Sequence, residues 1–252
     1  MGYSGILVSP KGGIMAHPSL RPGRVHGLLA VQSLVVVLVS VNRLTRLTLS
    51  YVAANQFLRW VDLLNLLFLP LVSLVAFYLL KKELEVDSAH RDGLRHRALS
   101  VAFIVGVYVL GASYGTHEVT NYLHVRFCAE PSDDLCRIIA FHDDEFSHWV
   151  FFTGFVLVNA ALLLLQDLFP YAARLGRGDV SLLVLNGVFI GLGVFANLAF
   201  EQIGLDLYVV AVLAVLSGYF LWRRGAQPLT IYYLTAYAFG LTATLAYRAL
   251  AA

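Results

Sequence analysis

Residues 149–166 read WVFFTGFVLVNAALLLLQ, a run with no Asp, Glu, Lys or Arg. As a helix rising about 1.5 Å per residue it covers roughly 27 Å, close to the hydrocarbon thickness of a bilayer. Its apolar residues are continuous rather than alternating, which favours a helix over a strand. Lipid offers no partners for backbone amides, so a crossing segment must satisfy them internally, as a helix does. Working outward, similar runs occur at 27–42, 61–80, 98–116, 181–200, 205–222 and 229–247. The expectation is an all-α polytopic membrane bundle of about seven spans, with residues 1–26 as a short N-terminal tail and 27–250 as a single transmembrane domain.

Composition agrees. Of the 252 residues, 59% are hydrophobic and 13% charged. A soluble domain carries about 25% charged residues, so this chain has too little polar surface for a water-soluble globule. The tail carries Pro18, Pro22 and Gly23 and lacks the pattern of a cleaved signal peptide. A net charge of +2 gives no reason to expect a nucleic-acid partner. Gly111/Gly115 and Gly187/Gly191 are small-residue pairs that let helices approach closely.

The distribution of Lys and Arg orients the bundle. With the N-terminus inside and the C-terminus outside, 12 of the 18 basic residues fall on the inner side. Arg43, Arg46 and Arg59 are the exceptions that crowd the first outer loop. Residues 44–59 are expected to lie along the interface as a short amphipathic helix, anchored by Tyr51 and Trp60.

One region breaks the apolar pattern. The third span runs into His117-Glu118-Val-Thr-Asn121-Tyr-Leu-His124, and the fourth is preceded by His142-Asp143-Asp144-Glu145-Phe-Ser147-His148. Four of the eight histidines lie in these stretches. Ionisable groups near membrane depth are costly and usually face a cavity, a partner or a metal. His117, Asn121 and His124 are spaced i, i+4, i+7 and share one helical face. Glu145 and His148 are i, i+3, and Asp144 and His148 are i, i+4. Setting His117 beside His148 in an antiparallel pair makes facing residue numbers sum to about 265, which places Asn121 near Glu145 and His124 near His142.

Imidazoles and carboxylates on facing helices are the donor set of a metal site in a bundle core. The expected ligands are His117, His124, His142, Glu145 and His148, holding a divalent metal, zinc or iron by its chemistry. Glu118 and Asp144 are the expected catalytic carboxylates, acting on a metal-activated water. Asp62, Asn121 and Glu201 are placed to orient the ligands. Cys128 and Cys136 bracket a short outer loop and are expected to form a disulfide that pins it.

Several assignments are excluded. His117-Glu118 lacks the second histidine of the His-Glu-x-x-His zinc protease pattern, because Asn121 stands there. The lysines, Lys11, Lys81 and Lys82, all lie outside the seventh span, so there is no retinal Schiff base. Glu118-x-x-Asn121 is similar to one helix motif of the seven-helix ceramidase and adiponectin-receptor-like hydrolases. Those families carry paired histidines in the last span, and 229–247 contains none, so the chain is not assigned to them.

The leading expectation is therefore a membrane-embedded, metal-dependent enzyme on the extracytoplasmic side. It would act on a membrane lipid or another apolar substrate, by hydrolysis through metal-activated water. A di-metal oxidase or hydroxylase, a metal or proton transporter, and a non-catalytic subunit of a larger membrane complex with a structural metal site are the alternatives.

Overall fold

The computed structural model describes residues 20–86, 93–128, 133–201 and 204–251; of Glu201 and Ala251 only the backbone is described. Among these residues there are seven helices long and apolar enough to cross a membrane. They are α1 (Pro22–Leu44), α2 (Trp60–Leu84), α3 (Leu94–Phe127), α4 (Asp134–Leu168), α5 (Arg177–Phe200), α6 (Leu205–Arg224) and α7 (Pro228–Leu250). The chain is all-helical in its described part, apart from one isolated bridge between Tyr51 and Arg59. By length and composition it is an integral membrane protein.

The helix ends have local causes. Pro22 starts α1 five residues before the sequence boundary at 27, because proline suits the first turn, where its missing N–H costs nothing. The Glu83 carboxylate accepts from the Arg21 backbone N–H at 3.0 Å and fixes the chain's entry. Gly225, at φ 74°, ends α6 in a left-handed conformation that a side chain would strain.

The helices close a ring in the order α1, α2, α3, α4, α6, α7, α5. Its core is continuous and includes Leu110, Val158, Leu162, Leu183, Leu213 and the stacked rings of Tyr233 and Tyr237. The closest approaches occur at glycines. A Cβ at Gly154 would stand 2.5 Å from the Leu110 backbone nitrogen, and one at Gly106 2.9 Å from that of Val158. These two glycines seat α3 on α4. Gly187 and Gly191 do the same for α5 on α7, where a Cβ at either would meet a backbone carbonyl at 2.8 Å. Gly111 and Gly115 have ordinary contacts with Leu74 and Leu66, so that pair is not a close-packing seam.

Two features depart from the expected pattern. The segment after α1 is not an amphipathic helix. The alternating run Leu47-Thr-Leu-Ser-Tyr-Val52 folds back on itself, with Val52 N–H donating to Leu58 O at 2.8 Å and Trp60 N–H to Ser50 O at 3.0 Å. Period-two alternation suits this extended pairing better than a helix. The second feature is a set of three π-helical turns, at Leu64–Phe68, Phe141–Phe146 and Asn197–Glu201. All three lie at the same end of the bundle, the end that carries the Cys128–Cys136 disulfide (Cα–Cα 5.3 Å). Such turns are rare and are frequent at functional sites.

Candidate functional site

Helices α3 and α4 are 34 and 35 residues long. Each spans about 50 Å, more than a hydrocarbon layer needs, so at one end they carry their polar residues beyond it. The disulfide joins them at that end, and the Asp133 side chain caps α4 by accepting from Cys136 N–H at 2.8 Å.

The centre of the site is Asp143, which is 2% exposed. Its Oδ1 lies 3.0 Å from His117 Nδ1, and its Oδ2 lies 2.9 Å from His124 Nδ1 and 3.4 Å from Asn121 Nδ2. His117, Asn121 and His124 thus reach one carboxylate from one face of α3, as their spacing predicts. Ser147, fully buried one turn along α4, donates to the Asp143 carbonyl at 2.6 Å, with its hydroxyl 3.5 Å from His117 Nδ1. The His117 and His148 rings lie 5.0 Å apart, as the inferred register sets them, whereas Asn121 and His124 meet Asp143 rather than Glu145 and His142.

Within that register the π turn at Phe141–Phe146 decides which side chains face inward. It brings residues five apart into line, so Asp143 shares a face with His148. In a regular helix Asp144 or Glu145 would take that place. Glu145 is exposed instead, and His142 packs edge-on against Phe141 and Phe146. The ligand atoms that lie together belong to His124, Asp143 and Asp144, and neither Glu145 nor His142 is in that group. Asp143, absent from the expected ligand set, takes the central position. Asp144 is largely exposed, with Oδ2 3.9 Å from His124 Nδ1.

His124, Asp143 and Asp144 each offer one ligand atom, and the three atoms lie within 4.8 Å of one another. Ligand atoms around a tetrahedral zinc sit roughly 3.4 Å apart, given bonds of about 2.0–2.1 Å. The separations are 2.9 Å, which is the hydrogen bond between His124 Nδ1 and Asp143 Oδ2, and 3.9 Å, so the donor set suits a small divalent ion by type, with that hydrogen bond given up to the ion.

Beside this group is a cavity of about 160 Å³, whose wall includes Asn121 and two ion pairs. Glu118, 3% exposed, is held by Arg43 of α1. Asp62 is gripped by Arg59 through two hydrogen bonds of 2.8 and 2.7 Å and receives the Arg59 backbone N–H at 3.2 Å. The Asp62 hydrogen bonds outweigh the cost of burial and hold the Arg59 guanidinium above its ordinary pKa. Asn42 donates to Asn65 Oδ1 in the neighbouring π turn at 3.1 Å and accepts from Thr48 at 3.2 Å. Glu118 and Asp62 are therefore bound by arginines and face this cavity rather than the imidazoles. The side chain of Glu201 lies outside the described residues.

Sequence reasoning missed Asp143, Arg43 and Arg59. The five-residue spacing of Asp143 and His148 was the available signal, and it has meaning only once a π turn is present. The pairing of Arg43 with Glu118 crosses 75 residues and leaves no local mark.

Comparison of the chain with protein-family models, with curated proteins and with solved structures finds no match.

Proposed function

We propose that the chain is a membrane-embedded, metal-dependent enzyme whose site lies at the disulfide end of α3 and α4. The observation that carries this reading is the company of Asp143. Among the described residues this buried carboxylate contacts two imidazoles and an amide but no Lys or Arg. A buried carboxylate is costly without a compensating positive charge, and a divalent cation beside His124 and Asp144 would supply it.

Such an ion would contribute Lewis acidity and a lowered water pKa. The residues would do the rest. Asp143 orients both imidazoles. His117, whose Nδ1 lies 3.0 Å from Asp143 Oδ1, keeps its other ring nitrogen as a base that can move a proton. The two arginine-bound carboxylates line the cavity where a substrate's polar end would sit. Hydrolysis of a lipid or another apolar substrate is the proposed reaction, with the N-terminus inside and the site on the extracytoplasmic face.

The test is elemental analysis of protein purified without chelators, paired with hydrolysis assays on lipid esters and amides. A near-stoichiometric metal that is lost in His124→Ala, together with lipid turnover, supports the proposal. Metal-free protein with full turnover contradicts it.

A further inference from the structure

The cavity beside the metal-ligand group has a composition that selects among head groups. Its wall contains two guanidinium groups, Arg43 and Arg59, and two carboxylates, Glu118 and Asp62. They pair one to one, so the lining is neutral. Each arginine has five N–H donors and each carboxylate about four acceptor sites, more than one ion pair uses. Asn42 and Asn121 add amide groups that both donate and accept. A wall of this kind matches hydroxyl groups, each of which also donates and accepts. A phosphate would meet Glu118 and Asp62, and an ammonium would meet Arg43 and Arg59.

Size narrows the class. An apolar cavity of about 150 Å³ holds benzene, a molecule of six heavy atoms. The volume here, about 160 Å³, suits a polar fragment of similar size. Phosphocholine and larger zwitterionic head groups exceed it. The surroundings favour a fragment attached to acyl chains. The loop between α1 and α2 supplies Leu49 and Arg59 to the wall, and it exposes Leu47 and Phe57, which are 79% and 71% accessible. Apolar side chains exposed on a loop at the end of a membrane bundle belong in the lipid interface.

We infer that this cavity binds the uncharged, glycerol-sized polyol head group of a neutral lipid. The inference deepens the enzyme proposal by naming its substrate class. It rests on that proposal for the fate of the head group and not for the binding.

The experiment is native mass spectrometry of the full chain in detergent micelles, titrated with dioctanoylglycerol, dioctanoyl phosphatidic acid, dioctanoyl phosphatidylcholine and free glycerol. Dioctanoylglycerol should bind about tenfold more tightly than either phospholipid and far more tightly than glycerol. Leu49→Trp, which fills the cavity from a half-exposed loop position, should weaken that binding about tenfold. Tighter binding of phosphatidic acid, or unchanged binding in Leu49→Trp, would overturn the inference. Equal binding of free glycerol would overturn the lipid assignment. Metal content is measured on the same protein. Metal without diacylglycerol preference overturns this inference alone, whereas diacylglycerol preference in metal-free protein upholds it and overturns the metal reading alone.

Discussion

At the end of the bundle away from the disulfide, three carboxylates, Glu83, Glu85 and Asp167, sit beside permanent cations, and Asp179 sits beside an imidazole. Glu83 contacts Arg21 and Arg24, and Asp167 contacts Arg223 and Arg224. Glu85 is held by Lys81 and His96, while Asp179 receives His26 of α1 at 2.9 Å. The helices at that end are regular. At the disulfide end three helices carry π turns, and the buried carboxylate at the centre, Asp143, is surrounded by imidazoles and an amide. The first arrangement fastens helices and loops to one another. The second leaves negative charge without a matching Lys or Arg among the described residues, at the place where the backbone departs from regularity. On the proposed reading, charge spent on architecture and charge held for a ligand are distinguished by the partner's chemistry, not by the count of charges.

The strongest way to break this contrast is Asp143→Ala. It should abolish metal retention and lower stability by about 1–3 kcal/mol, the cost of leaving buried hydrogen-bond donors without their acceptor. Elemental analysis and thermal unfolding in detergent check the two effects. Asp143→Asn, which keeps the shape and removes the charge, should also lose the metal but retain more stability.

Removing the disulfide comes next. Cys128→Ser with Cys136→Ser should cost about 2–3 kcal/mol through loss of loop closure. Both half-cystines are buried and join the ends of α3 and α4 that present His124 and Asp143. Metal affinity should therefore fall together with the unfolding temperature.

At the opposite end, Glu85→Gln should cost about 1.5–3 kcal/mol, the range for hydrogen bonds to a charged group, with no change in metal content. Burial alone would raise the Glu85 pKa, but hydrogen bonds from Lys81 and His96 overcome it and hold the carboxyl below its ordinary value. A lowered folded pKa contributes stability above the unfolded value of about 4.3, and this is lost as pH falls through the folded pKa. Melting curves from pH 6 downward should converge for wild type and Glu85→Gln over about that acid range.

The smallest effects separate the sequence's ligand set from the structure's. Glu145→Ala and His142→Ala should leave metal content unchanged and shift stability by no more than about 0.5 kcal/mol for the exposed glutamate. Loss of metal in either would restore the ligands expected from regular helical spacing.

Much of the fold was legible because apolar length is a strong signal: the run at 149–166 admits no other reading, and six others resemble it. The α3 half of the site was legible for a similar reason, since His117, Asn121 and His124 repeat on one helical face. The α4 half was not. His142-Asp143-Asp144-Glu145 offers four adjacent polar side chains, and each step of about 100° around the helix changes which one faces inward. A π turn alters that phase without changing composition. The hairpin after α1 shows a different limit. Its Leu, Tyr and Arg residues read as an amphipathic surface, although the period-two alternation was present in the same residues.

The central claim is that Asp143 and His124 hold a divalent ion, and metal content of the purified chain tests it most directly. Inductively coupled plasma mass spectrometry on wild type, Asp143→Ala and Glu83→Gln should find about one zinc or iron per wild-type chain. The ion should be absent from Asp143→Ala and retained in Glu83→Gln, whose carboxylate belongs to the opposite end. Wild-type protein that carries no metal while fully folded and active, or metal retained in Asp143→Ala, would contradict the account.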